Sequence, residues 1–240
     1  MSAAMGALAS DANAGAVRDA HRFDETRLKD WLSAHIDTGG GFAVRQFSGG
    51  QSNPTFLIET GGRKYVMRKK PPGTLLKGAH QVDREYRVMK ALGQTDVPVP
   101  TMRALCEDDS VVGTAFYVMD FLEGRIFRDP LIPGVTREER AAIYDEMNAV
   151  MARLHGVDHA AIGLGDYGRP GNYFERQIAR WITNYRGAET EVIPAMEDLI
   201  AWMPGHIPAD DSVSIAHGDY RLENTIFHPS EPRMLAVLDW

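Results

Sequence analysis

Four polar residues near the end of the chain have the types and spacing to do chemistry together. Residues 214–224 read S-I-A-H-G-D-Y-R-L-E-N, with His217, Asp219 and Asn224 between two short apolar runs. A carboxylate followed five residues later by a carboxamide, on a loop between strands, suits phosphoryl transfer. Asp219 can accept a proton from an attacking hydroxyl, and the Asn224 side-chain oxygen can ligate Mg²⁺. Residues 234–239 (M-L-A-V-L-D) then form an apolar strand ending in Asp239, a carboxylate able to hold the metal from the other side.

Two other readings compete. H-G-D can be a plain turn, with Gly218 supplying a positive φ and Asp219 capping its own backbone. His217, Asp219 and His228 can be imagined as a metal cluster, but no His or Cys pair recurs at zinc-site spacing. The ordered set favours the first reading. H-x-D-x-x-x-x-N followed by an apolar strand ending in Asp is the order of kinase catalytic and metal loops.

These residues need a scaffold that presents a nucleotide to them. Residues 42–68 read as strands joined by turns. The turn at 47–53 (F-S-G-G-Q-S-N) can bring the backbone of Ser48, Gly49, Gly50 and Ser52 close to phosphates, or be an ordinary hairpin turn. The strand Y-V-M-R at 65–68 puts Val66 and Arg68 on one face by the period of two, Arg68 aimed at phosphates or solvated on an edge strand. A helix is expected over 82–92 with the stripe Val82, Tyr86 and Met89. Glu85 sits on the edge of that stripe and there requires a cation, Arg68 first and Lys70 next. Residues 101–106 and 114–119 read as strands around the acidic turn 107–109. Residues 120–124 read as a connector whose backbone, from Asp120 to Leu122, can meet an adenine edge.

Elsewhere the pattern is helical. Residues 23–36 predict a helix capped by Asp24 and stapled by Phe23 and Leu28, ended by Gly39 to Gly41. T-R-E-E at 136–139 is a capping box. It opens a helix with the core stripe Ile143, Met147, Val150, Met151 and Leu154, stopped by Gly156. Asn172 is placed to cap a helix carrying Ile178, Trp181, Ile182 and Tyr185. The next helix spans 191–203, with Pro194 in its first turn. Trp181, Tyr185 and Trp202 read either as packing or as the lining of an acceptor pocket.

Composition bounds the rest. A chain of 240 residues with 44% hydrophobic and 25% charged residues is ordinary for a soluble protein. Net charge −7 argues against a general nucleic-acid binder. The single Cys106 leaves no internal disulfide and fits a reducing cytoplasm. No apolar run approaches the roughly 18 residues of a membrane span. The Ala/Gly/Ser-rich start reads as a flexible tail.

The stretches 49–55 (G-G-Q-S-N-P-T), 65–73 (Y-V-M-R-K-K-P-P-G), 84–86 (R-E-Y), 154–156 (L-H-G) and 217–224 (H-G-D-Y-R-L-E-N) carry a family likeness. Over residues 24–240 the chain resembles the aminoglycoside phosphotransferase-like kinases, which include choline and homoserine kinases. Within them it is most like the branch found alone in bacteria or fused to acyl-CoA dehydrogenases in animals. The resemblance implies an α+β, bilobal protein-kinase-like fold: a tail over 1–22, an N-lobe sheet with a helix over 23–119, a linker over 120–124 and a mostly helical C-lobe over 125–240. It implies ATP and Mg²⁺ as cofactors and a small-molecule hydroxyl as acceptor, a hydroxyacyl compound being suggested by the fused branch. Asp219 would orient or deprotonate the acceptor, and Arg221 would lie near the transferred phosphate. Asn224 and Asp239 would hold Mg²⁺, Glu85 would anchor the phosphate-gripping cation, and His217 would be structural.

Two departures bear on this. Arg68 stands where kinases carry Lys, with Lys69 and Lys70 next, so the gripping cation is open among the three. Members of the family continue past the metal-binding Asp, so a chain ending at Trp240 is expected to be a fragment or truncated form, poorly stable and inactive alone. A pseudokinase acting through a protein partner is the alternative. A protein kinase fits less well, since no D-F-G follows the metal strand.

Overall fold

The computed structural model describes residues 7–9, 13–48, 53–73, 81–169, 171–209 and 212–240. It resolves into two compact units, residues 1–157 with 216–240, and residues 158–215. The expected linker at 120–124 lies inside the first unit.

The first unit is built on a six-stranded antiparallel sheet. Its strands are β2 (Ala14–Gly15), β3 (Phe42–Phe47), β4 (Thr55–Thr60), β5 (Arg63–Lys69), β6 (Met102–Cys106) and β7 (Phe116–Asp120), in the order β2-β3-β4-β5-β7-β6. β5 is therefore central, and the edge-strand reading of Arg68 does not hold. Alternation along the strands separates two cores. Phe56, Ile58, Tyr65, Met67, Phe116 and Val118 pack on α1 (Glu25–Leu32) through Leu28 and Leu32. On the opposite face Val66, Tyr117 and Met119 cluster with Val82 and Met89 of α2 (Val82–Leu92). Pairing places Arg68 across from Tyr117, and Val66 across from Met119. That face carries the candidate site.

Several local expectations are corrected. The tail is not free of structure in its described part. β1 (Ala7–Ala9) pairs with β8 (Gly124–Ile126), β2 pairs with β3, and Arg18 N–H donates to Gln46 Oε1 at 3.0 Å. The first helix starts where Asp24 caps it, accepting from the Thr26 and Arg27 N–H groups, but ends at Leu32, well before the glycines. There the Ser33 hydroxyl donates to the Asp30 carbonyl, an alternative to further helical bonding. The acidic turn is a one-turn helix, α3 (Asp109–Val112), capped by Asp108. The buried stripe of α2 is Val82, Glu85, Val88, Met89 and Leu92. It is thus centred nearer Glu85, and Tyr86 is only half-buried.

A second antiparallel sheet, β1-β8-β9-β10, carries β9 (Thr225–Phe227), which follows the string at 217–224, and β10 (Met234–Val237), which leads to Asp239. Residues 212–217 form no strand, so the expected strand ahead of the string is absent among the described residues. α4 (Arg137–His155) is capped by Thr136, whose Oγ1 accepts from Glu139 N–H, and buries Ile143, Met147, Val150 and Leu154. The Glu139 carboxylate does not complete the capping box. It is taken instead by Arg125 at 2.7 Å.

The second unit holds α5 (Tyr173–Ala188) and α6 (Pro194–Trp202), tied by Arg186 Nη2 donating to Glu197 Oε2 at 2.6 Å. Asn172 precedes α5 in a left-handed conformation and gives no side-chain cap bond. Neither helix buries a residue, and Trp181 and Trp202 are exposed, so the packing reading of that stripe finds no core partner within these two helices. Among the described residues no helix is long and apolar enough to cross a membrane.

Gly124 shows how closely β8 and β9 approach. A Cβ there would collide with the Phe227 carbonyl oxygen and the Ile226 side chain. We expect Gly124→Ala to destabilise the protein by about 1–3 kcal/mol, since backbone cannot move aside cheaply. A fall in the thermal unfolding midpoint checks this, and an unchanged midpoint would count against the close approach.

Candidate active site

Two groups of side chains converge in the first unit, one from the sheet and α2, the other from the loops around β9 and β10. The sheet group centres on Glu85, 6% exposed. Asn53 Nδ2 donates to Glu85 Oε1 at 3.1 Å, and the Tyr117 hydroxyl donates to Oε2 at 2.9 Å. Arg68 Nε stands 3.1 Å from the same Oε2. Burial pushes the Glu85 carboxyl upward, and Arg68, Tyr117 and Asn53 oppose that push. Burial also drives the Tyr117 phenol well above its ordinary value, so it stays a donor. For Arg68, burial works against the charge, but Tyr117, Glu85 and Asp239 outweigh it and the guanidinium is held above its usual range.

The three candidate cations are now told apart. Arg68 lies on the site face and also bonds the Asp239 carboxylate through Nη2. Lys69 points to the other face, where its buried Nζ donates to the Val112 carbonyl at 2.8 Å. Lys70 lies 3.4 Å from Asp83. Arg68 is the cation that Glu85 anchors.

In the loop group, Asn224 Nδ2 donates to both the Asp219 carbonyl (2.9 Å) and Oδ2 (3.0 Å). That commits the amide nitrogen and leaves the carboxamide oxygen as the side chain's acceptor atom. Leu238 N–H donates to the Asn224 carbonyl at 2.8 Å, bringing the end of the metal strand beside the catalytic loop. Asp239 follows with φ 65°, a left-handed conformation that Asp tolerates better than most residues. His217 joins the two loops. Its Nδ1 accepts from Asp219 N–H at 3.2 Å, so Nε2 carries the proton donated to the Leu238 carbonyl at 2.9 Å. Burial lowers its pKa, in keeping with a neutral structural ring. The Tyr220 hydroxyl donates to the Met147 carbonyl at 2.9 Å and ties the loop to α4.

The Asp219 carboxylate is 57% exposed and open to an incoming hydroxyl. Arg221 Nε stands 3.3 Å from its Oδ2, and Arg221 Nη1 stands 3.3 Å from Glu223. Ser48 N–H already donates to the Asn13 carbonyl at 3.3 Å. Gly49, Gly50 and Ser52 lie outside the described residues. The Asp120 carboxylate is gripped by Arg103 at 2.7 Å, its N–H donates to the Thr101 carbonyl, and Leu122 is half-buried. Asn53 and Tyr117 were not singled out from sequence. Tyr117 shares a face with Arg68 only through the β5–β7 pairing, which no local pattern reveals.

Among the described residues no group of three or more His, Cys, Asp or Glu gathers as a metal site. A Mg²⁺ ion needs no such cage. It is commonly held by one or two side-chain oxygens plus substrate phosphates and water, and the Asn224 carboxamide oxygen and the Asp239 carboxylate fit that donor set by chemistry.

Residues 43–240 match the phosphotransferase enzyme family. The chain belongs to that family. A crystallised relative from Ralstonia eutropha, named for the aminoglycoside phosphotransferases, is 56% identical with a TM-score of 0.83, covering 91% of this chain and 65% of that one. Acyl-CoA dehydrogenase family member 10 of Mus musculus is 49% identical over 216 residues, 90% of this chain and 20% of the mouse protein. Family member 11 of Gallus gallus is 47% identical over 230 residues, 93% and 30% respectively. The chain therefore spans only a minor part of these curated relatives. The complex of aminoglycoside phosphotransferase APH(4)-Ia with AMP-PNP and hygromycin B shares the fold at TM-score 0.60 and 16% identity. The α+β expectation and the family resemblance are both borne out.

The His217 bonds set a pH dependence. A folded-state pKa below 6.5 means the unfolded chain takes up the proton first as pH falls. This contribution to stability is present above that value and lost as pH drops through the folded one. We expect the unfolding midpoint of the wild type to fall between about pH 7 and pH 5 more steeply than that of His217→Gln. Parallel profiles would contradict the neutral bridging role.

Proposed function

We infer that the protein transfers the γ-phosphoryl group of ATP to a hydroxyl of a small molecule, with Mg²⁺. The observation that carries this is the hydrogen-bonded join of Asp219, Asn224 and the Leu238–Asp239 strand end, with Arg68 bonded to Asp239 from the sheet side. Family membership supports the reaction class.

Each residue then has a task. Asp219 accepts the acceptor's proton or orients its oxygen, and the Asn224 amide keeps that carboxylate in place. Asn224 and Asp239 would hold Mg²⁺, which would supply positive charge to offset the charge developing on the transferred phosphoryl group. Arg68, fixed by Glu85, supplies a phosphate-binding fork with a planar geometry that a Lys lacks. Arg221, exposed and 3.3 Å from the Asp219 carboxylate, would meet the transferred group. The work is positioning and fixed charge rather than covalent catalysis.

The acceptor is a hydroxylated metabolite, and hydroxyacyl compounds are the first class to screen. The mouse and chicken relatives that share this segment are named as acyl-CoA dehydrogenases.

Asp219→Asn should lower turnover by about 10²–10⁴-fold, the usual worth of a positioned general base, while ATP affinity changes little. Steady-state assays with calorimetric ATP binding check both halves. Turnover that survives in Asp219→Asn would overturn the mechanism.

A further inference from the structure

Glu85 has three partners, and they do not do the same thing. Arg68 Nε is near enough for strong attraction at 3.1 Å, yet it makes no hydrogen bond. The angular condition is met only by the two neutral donors, Asn53 Nδ2 on Oε1 and the Tyr117 hydroxyl on Oε2. A charge contact of this kind holds a carboxylate near a cation without setting its rotation, whereas hydrogen bonds set direction. Both donors are almost wholly buried, Asn53 at 3% and Tyr117 at 1% exposure, so water does not substitute for them. They arrive from different places, Asn53 from just ahead of β4 and Tyr117 from the second position of β7, and each meets its own oxygen of α2's carboxylate.

We propose that Asn53 and Tyr117 are positioning residues for phosphate binding: they fix the rotation of the Glu85 carboxylate, and through it the direction in which Arg68 presents its terminal nitrogens. This rests on the kinase reading given above. Arg68 Nε faces Glu85, and Nη2 faces the strand end that carries Asp239. Rotating the carboxylate moves the anchor of the guanidinium, and with it the fork that meets the phosphates. Neither Asn53 nor Tyr117 needs to touch nucleotide for its loss to weaken the grip. Carboxylates elsewhere in the sheet do not share this design. Arg103 holds Asp120 through two hydrogen bonds of 2.7 Å, with the cation itself setting the geometry.

The test separates positioning from general support of the fold by comparing a ligand with phosphates to one without. Affinities for ATP and for adenosine, each with saturating Mg²⁺, are measured by calorimetry on the wild type, Tyr117→Phe, Asn53→Ala, Asn53→Asp, Glu85→Gln and the double variant Asn53→Ala/Glu85→Gln. Tyr117→Phe removes only a hydroxyl and keeps the ring, so it remains informative if an Asn53 variant fails to fold. We expect each single loss of a donor to weaken ATP about tenfold, the worth of one hydrogen bond to a charged group, and to leave adenosine within about twofold. Asn53→Asp should weaken ATP more than Asn53→Ala, because it sets a second carboxylate against Glu85. The double variant should bind ATP no worse than Glu85→Gln alone, since Asn53 acts through that carboxylate. Unchanged ATP affinity in Tyr117→Phe and Asn53→Ala, equal losses for ATP and adenosine, or additive losses in the double variant would each overturn the assignment. Wild-type protein that binds ATP no better than adenosine would overturn the kinase reading, and this assignment with it.

Discussion

Everything at the site hangs on a carboxylate that has been taken out of water. Glu85 is buried on the inner face of α2, where an ionised group without partners would cost several kcal/mol. Its burial dictates its company. A cation must come from the sheet, donors must fill the remaining lone pairs, and the strands that bring them must keep register. β5 is central in the sheet, with β4 on one side and β7 on the other, which is why Arg68, Tyr117 and the chain entering β4 can all reach one helix residue. Moving any of these elements by one residue would turn its side chain to the opposite face.

The loops around β9 and β10 solve a different problem. Asp219, Asn224 and Asp239 have to stand close with two negative charges among them. The joins between the loops are made by backbone groups and a neutral imidazole: Leu238 N–H to Asn224, Asp219 N–H to His217, and His217 to the Leu238 carbonyl. None of these bonds depends on the charge of the carboxylates they position. The left-handed backbone at Asp239 turns its side chain out of the strand direction, a local strain that β10 and the Asn224 bond together sustain.

Much of this is legible in the sequence alone. α2 was expected over the residues it occupies, because a helical stripe and a misplaced acid are both local signals. Alternation along one strand ranks Arg68 first as its partner, with Lys70 next. The catalytic string was legible because its chemistry is compressed into eight residues. What escaped was whatever depends on pairing between distant segments. Tyr117 looks like any core aromatic until β7 is laid beside β5, and Lys69 looks as good a cation as Arg68 until the sheet shows that it faces Val112. The short pairings of β1 and β2 escaped for another reason. Strands of two or three small residues carry no periodicity, and their partners supply all of the order.

Arg68 shows how the two groups of side chains become one site. With Glu85 behind it and a hydrogen bond to Asp239 ahead of it, the guanidinium links the sheet side to the end of β10 through charged groups, beside the bond from Val237 N–H to the Pro98 carbonyl and the packing of Leu238 and Trp240 on the sheet-side core. Such a join is easily remade when a more highly charged ligand arrives, because phosphates compete directly for the same N–H groups. The neutral hydrogen bonds behind it are not open to that competition. The arrangement therefore separates what must yield from what must stay. On the proposed kinase reading, the ion pair between Arg68 and Asp239 would be exchanged for phosphate and metal contacts, while the bonds of Asn53, Tyr117, His217 and the Asn224 amide would hold the charged groups in place.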